Sequence, residues 1–278
     1  MIRVRKHLSV ALLAALLSAV AFLWATPFLW TLVASFRPES AGSADMASLL
    51  PDLHPTLENF RNALESGTFG IYYVNTIIVV AGVLAVQCVT VSLAGYAFAR
   101  LRFPGRDFLF YAFLLQLMLV PPALIVPNLR TVVDLGLYDT LPGVMAPYFA
   151  SAFGTFLMRQ TFRTIPRDYE EAAMLEGATV PVLIRHVLVP LARPGLAAFA
   201  IVSVTAHWNE FLWPLMAVSS PSSQVLTVGL ASFASGAEAG SAWGIVAAGT
   251  FLVAGPLLLL FLIFQRRFVA SFIFSGIK

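Results

Sequence analysis

Long apolar runs alternate along the chain with short polar segments rich in arginine. Six runs, at about 8–29, 75–98, 108–126, 141–158, 195–216 and 244–264, are long enough to cross a hydrocarbon core of ~30 Å as helices. Strict apolar–polar alternation is absent from them, so the pattern predicts helices and not a barrel. The expected architecture is all-α: a polytopic membrane protein with six transmembrane helices in one domain, 1–278, without a separate soluble module.

The segments between the runs carry local signals. In the stretch 37–73, Leu57, Phe60 and Leu64 recur at helical spacing, with Glu58, Arg61 and Glu65 between them. That spacing fits a short amphipathic helix on the outer surface or a solvated loop with one helical turn. Pro104-Gly105 marks a turn. Pro121, Pro122 and Pro127 predict either a kinked helix lining a pathway or a helix end at the outer interface.

The most informative polar interruption is 159–194. Pro166 suits the first turn of a helix, where its missing N–H costs nothing. Asp168, Glu170 and Glu171 favour the N-terminal end of that helix. Tyr169, Ala172 and Ala173 share a face, and the alanines allow another protein to approach the backbone. Gly177 is placed to stop the helix, Thr179 to cap a second one with Pro181 in its first turn, and Pro190 and Pro194 to set a bend into the fifth run. A short helix held across one membrane face is the expected result.

Composition agrees with a bilayer protein: 59% of residues are hydrophobic and 11% charged, where soluble domains carry about a quarter charged. The mean hydropathy is +0.85. With the N-terminus inside, 14 of the 17 basic residues lie on the cytoplasmic side and only Arg37, Arg61 and Arg130 outside. The positive-inside rule then places both termini and the 159–194 segment in the cytoplasm. The net charge of +3 therefore reports topology and gives no reason to expect nucleic acid. Arg3, Arg5 and Lys6 before an apolar run also resemble a signal peptide, but that run continues almost to Arg37, too long for a signal core.

Chemistry-bearing residues are sparse. Cys88 stands alone inside an apolar run, and His7, His54, His186 and His207 fall in unrelated places. No catalytic, cofactor-binding or metal-ligating set is expected, and the chain is not expected to be an enzyme. A phosphate-binding Gly-x-x-x-x-Gly-Lys loop is missing, since Lys6 and Lys278 are the only lysines. ATP and its magnesium would have to be bound by a partner.

Glu171-Ala172-Ala173, then Gly177, then Val187-Leu188-Val189-Pro190 resembles the cytoplasmic EAA coupling loop of ABC importer permeases. The likeness to the binding-protein-dependent sugar permeases of maltose type extends along nearly the whole chain. It includes Ser35-Phe36-Arg37-Pro38, Leu57-Glu58-Asn59-Phe60, Asn75-Thr76, Tyr96-Ala97-Phe98-Ala99-Arg100, Phe156-Leu157-Met158-Arg159-Gln160 and Trp208-Asn209-Glu210-Phe211-Leu212-Trp213-Pro214. The C-terminal Ser275-Gly276-Ile277-Lys278 departs from the usual ending of that family.

The resemblance implies a type I permease fold in a bacterial or archaeal plasma membrane. It implies import of a sugar or sugar-like solute; the same mechanism serving a glycerol phosphate is the alternative, and a membrane enzyme or passive channel the remoter ones. Implied partners are ABC ATPase subunits, two of them, a second homologous permease and an extracytoplasmic solute-binding protein. Tyr169, Glu170, Glu171, Ala172, Ala173, Met174, Gly177 and Pro190 would couple the chain to the ATPase. A second cluster, His207, Asn209 and Glu210, lies in the fifth run. Glu210 is open to three placements there: on the aqueous path, paired with a polar group of another helix, or at the outer interface beside Trp208 and Trp213. Asn75, Gln87, Gln116 and Asn128 are further candidates for hydrogen bonds between helices.

Overall fold

A computed structural model describes residues 2–38, 55–65, 68–236 and 243–274. Pro51, His54 and the tail 275–278 lie outside them. The described residues are helical throughout, with no strand. They divide into two compact units, 1–69 with 230–256, and 70–229 with 257–278.

In the first unit, α1 (Ile2–Ser35) is followed by α2 (Glu58–Glu65). The helix expected around Leu57, Phe60 and Leu64 is therefore present. It packs through Asn59 and Ala63, and leaves Leu57 and Leu64 exposed. The reason is a hydrogen-bonding need at the end of α1. The Asn59 side chain donates to the carbonyls of Ser35 at 3.1 Å and Arg37 at 2.6 Å, groups that a helix end leaves without a partner. Phe36 and Phe60 close the corner, their rings 5.2 Å apart.

The second unit is built on α3 (Phe69–Arg100), of which it contains all but the first residue. With α1 and α14 (Trp243–Phe274), α3 is one of three helices that are singly long and apolar enough to cross a membrane. The other three apolar runs form broken pairs. Arg106–Met118, which holds α4 (Arg106–Leu114), meets Pro121–Asp134, which holds α5 (Ile125–Asp134), at 109°. Leu141–Tyr148, beginning with α6 (Leu141–Met145), meets α7 (Ala152–Thr164) at 47°. Counting each bent pair as one crossing gives six.

Prolines explain the breaks. Pro121 and Pro122 have no amide hydrogen for the carbonyls of Leu117 and Met118, and Leu119 and Val120 turn extended between the two segments. The 108–126 run is thus a broken helix and not a plain helix end. Pro147 interrupts the fourth run in the same way.

Within 159–194 the chain forms α8 (Asp168–Leu175), then a continuous stretch of α9 (Val180–Leu183), a π-helical turn over Ile184–Leu188, and α10 (Val189–Leu191). The π turn falls where Pro190 cannot donate to the His186 carbonyl, and the Val189 amide reaches back to Ile184 instead. An 81° bend leads into α11 (Arg193–Trp208), at the position expected from Pro190 and Pro194. The fifth run does not stay helical to residue 216. It stops at Trp208 and resumes as α12 (Leu212–Ala217), followed by α13 (Leu226–Gly236).

Two apolar cores hold this unit. Val91 and Tyr96 of α3 pack with Met158, Phe162 and Ile165, with Leu183, Ile184 and Leu188 of the coupling segment, and with Phe199 of α11. Gly154 permits the α7 approach: a Cβ there would meet Phe199 at 2.5 Å and Val91 at 2.7 Å. The second core joins Val79 and Val83 to Val132, Val144, Trp213, Ala217 and Val225. Beside it, Asp139 adopts a left-handed φ of 59° and accepts from the amides of Ser219 and Ser220 at 2.9 Å each, and from the Ser220 hydroxyl. The Ser220 hydroxyl first, then the two amides, hold its carboxyl below the usual carboxylate range.

Candidate functional site

Two groups of residues offer chemistry beyond packing. The first is α8 with its stop. Gly177 has φ 86°. Its amide donates to Met174 at 3.0 Å, and the Ala178 amide donates to Ala173 at 3.0 Å. This is the paired closure that a left-handed residue makes at a helix end. Thr179 occupies the N-cap position of α9, but its side chain makes no capping bond. Pro181 is in the first turn, as the sequence suggests.

The outward side of α8 carries Tyr169, Glu171, Ala172 and Met174, all exposed. Leu175 at its end is 90% exposed. Ala173 is half-buried against the core of Tyr96 and Leu188, so the alanines do not share one environment. Pro190 is half-buried as well. Glu170, grouped with the outward residues from sequence, is turned inward and only 7% exposed. Its Oε1 stands 2.5 Å from Nε of Arg100, the last residue of α3, and both side chains are buried. Arg100 also donates to the Ile165 carbonyl at 2.6 Å. Exposed Tyr169, Ala172, Met174 and Leu175, with the exposed carboxylates of Asp168 and Glu171 beside them, form a face suited to contact another protein.

The second group surrounds the break after α11. Pro214 has no N–H for the Glu210 carbonyl one turn earlier, and the Thr227 hydroxyl supplies the missing donor at 2.6 Å. The Glu210 carboxylate shares a small pocket with Tyr148 and receives a long contact from the Trp213 amide at 3.5 Å. Among the described residues no ion pair includes Glu210. Trp213 Nε1 donates to the Val144 carbonyl at 3.0 Å.

The His207 ring lies against Tyr148, tilted at 51° with ring centroids 4.4 Å apart, and is 3.3 Å from Gln87 Nε2. Gln87 is 3% exposed and joins three elements. It donates to the Tyr148 carbonyl at 2.6 Å and accepts from the Ser203 hydroxyl at 2.6 Å. Tyr148, His207, Glu210 and Thr76 line one small pocket. Asn209 takes no part: it is exposed, and its amide folds back onto the Thr205 carbonyl at 2.8 Å.

Of the sequence candidates, then, His207 and Glu210 line one pocket and Asn209 does not. Gln87 and Asn75 bond between elements, Asn75 to the carbonyls of Ser222 and Gln224 at 2.8 Å each. Gln116 is exposed. Arg100, Tyr148, Ser203 and Thr227 join the sites without having been singled out from sequence. Arg100 ends a conspicuous motif, but serine, threonine and tyrosine in apolar helices carry no signal of their own.

Replacing Glu210 by Gln keeps an acceptor for the Trp213 amide. Assembly yield is expected to stay within about twofold of the parent, while Glu210→Ala, which removes that acceptor and empties part of the pocket, lowers thermal stability by about 1–3 kcal/mol. Equal melting temperatures for the two variants would contradict this account of the pocket.

Residues 91–273 match the family described as binding-protein-dependent transport system inner membrane component. The chain is 34% identical over 264 residues to a diacetylchitobiose uptake system permease protein of Streptomyces coelicolor, covering 93% of this chain and 87% of that protein. It is 33% identical over 256 residues to an sn-glycerol-3-phosphate transport system permease protein of Brucella abortus, covering 90% of each. The solved structure of a bacterial ABC transporter involved in alginate import contains a chain of the same fold, with a TM-score of 0.81 at 21% identity. The match covers 94% of this chain and 96% of that one.

Proposed function

The chain belongs to the family of binding-protein-dependent transport system inner membrane components, and on that premise we propose that it is one permease half of an ATP-driven sugar importer. In this reading 1–278 is a single permease domain with both termini cytoplasmic. A second homologous permease completes the pathway, an extracytoplasmic binding protein delivers the solute, and two ATPase subunits bind ATP and magnesium. The outward face of α8, with Tyr169, Glu171, Ala172 and Met174, is the docking surface for an ATPase. Gly177 stops α8, and Pro190 sits farther on, at the bend into α11.

The observation that carries the reading is α8 itself: a short helix, stopped at a left-handed glycine, whose apolar side faces outward beside a carboxylate. Similarity to a diacetylchitobiose uptake system permease protein supports a sugar as the solute.

The test is reconstitution of the chain with its partner permease, ATPases and binding protein in vesicles. Saccharide uptake that requires ATP and the binding protein is expected. Cysteines at Ser220 and Ala178, in a Cys88→Ser background, report orientation: an impermeant reagent added to intact cells labels position 220 and spares 178. Labelling of 178, or uptake without ATP, would refute the reading.

A further inference from the structure

The α8 helix needs more than a docking face if its displacement is to reach the spans. It must be fastened to one of them. The fastening in this chain is electrostatic and specific. Glu170 points away from the outward face, into the protein, and meets Arg100 at 2.5 Å where α3 ends. The Arg100 guanidinium continues to the carbonyl of Ile165, just after α7. One buried cation thus holds three parts of the chain: the end of α3, the end of α7 and the first turn of α8. Both charged side chains are more than nine-tenths buried.

Burying two charges is costly, and well-packed apolar residues of similar size often do at least as well for stability. What such a pair adds is register. Apolar surfaces slide at little cost, while a buried carboxylate must stay with its cation. Tyr96, Ile165, Leu183 and Leu188 pack in the apolar core around the pair.

We propose that the Arg100–Glu170 pair is the positioning link that makes α8 move together with α3, so that displacement of the docking helix is delivered to a membrane-spanning helix. Its role in transport rests on the importer reading above; its role in fixing α8 does not.

The test replaces the pair by apolar residues, Arg100→Met with Glu170→Leu, in the complete transporter. Two readouts are taken in nanodiscs. Spin labels at Arg102 and Glu176, with Cys88 replaced by Ser, report the distance between the end of α3 and the end of α8. Solute uptake per ATP hydrolysed reports transmission. The double variant is expected to assemble at parental yield, broaden the distance distribution and lower uptake per ATP at least tenfold. Charge-retaining Glu170→Asp restores most of the ratio.

An unchanged distance distribution overturns the link whatever the transport result. Broadened distances with an unchanged uptake ratio overturn its role in transmission. Should the double variant fail to assemble, the single Glu170→Gln, which removes charge but keeps shape, carries the same two readouts.

Discussion

Gly177→Val is expected to abolish ATP-coupled uptake while leaving the chain in the membrane. Gly177 sits at φ 86°, and a side chain added there would touch nothing within 4 Å. The penalty is therefore purely conformational. A left-handed backbone costs an ordinary residue roughly 1–2 kcal/mol, and a β-branched one more. Valine relieves that strain by leaving the left-handed region. Doing so breaks the closing bonds from Gly177 to Met174 and from Ala178 to Ala173, and re-aims the chain toward Thr179. The docking helix then ends differently from the shape its partner receives. Gly177→Asn is the control, because asparagine tolerates this backbone better. We expect valine to lower solute-stimulated ATPase activity and uptake at least tenfold and asparagine to cost no more than about threefold. Parental activity in the valine variant would sink the account.

The second large effect is expected at Gln87. Its amide is bonded on both sides, to the Tyr148 carbonyl and the Ser203 hydroxyl, with His207 in contact. Gln87→Leu leaves the Ser203 hydroxyl without its acceptor and the Tyr148 carbonyl without its donor in a buried setting. Each unsatisfied group costs about 1–3 kcal/mol. The expected result is a lower melting temperature of the purified complex and a several-fold lower yield. Pairing the change with Ser203→Ala removes one stranded group, so the double variant should recover part of the loss. A melting temperature unaffected by Gln87→Leu would show that the network contributes nothing to holding α3, the Leu141–Tyr148 segment and α11 together.

The runs at 8–29, 75–98 and 244–264 each fall on a helix long and apolar enough to cross a membrane, because an uninterrupted apolar stretch of that length leaves few other structures. The coupling helix and its stop were also legible, since proline, acidic residues and glycine act through local backbone chemistry. The breaks were less so. Pro121-Pro122 announces itself, but the interruption after Trp208 depends on Pro214, and its repair depends on Thr227, seventeen residues after Glu210. The outward and inward sides of α8 were harder still. Glu170 and Glu171 are neighbours of one type, and only the distant Arg100 decides that the first turns in. Periodicity places residues around a helix; it does not say which face the rest of the chain will claim.

The break at Pro121-Pro122 also bears on biogenesis. Met118 and Val120 beside it are 79% and 65% exposed, and the carbonyls one turn before the two prolines receive no amide hydrogen from them. Hydrocarbon offers no replacement donor. A copy inserted without companions holds raw backbone against lipid, so a second protein surface or water must cover it. The cell's usable stock of this subunit is then set by the supply of its companions. Surplus copies would be natural targets for proteases that clear orphan membrane proteins.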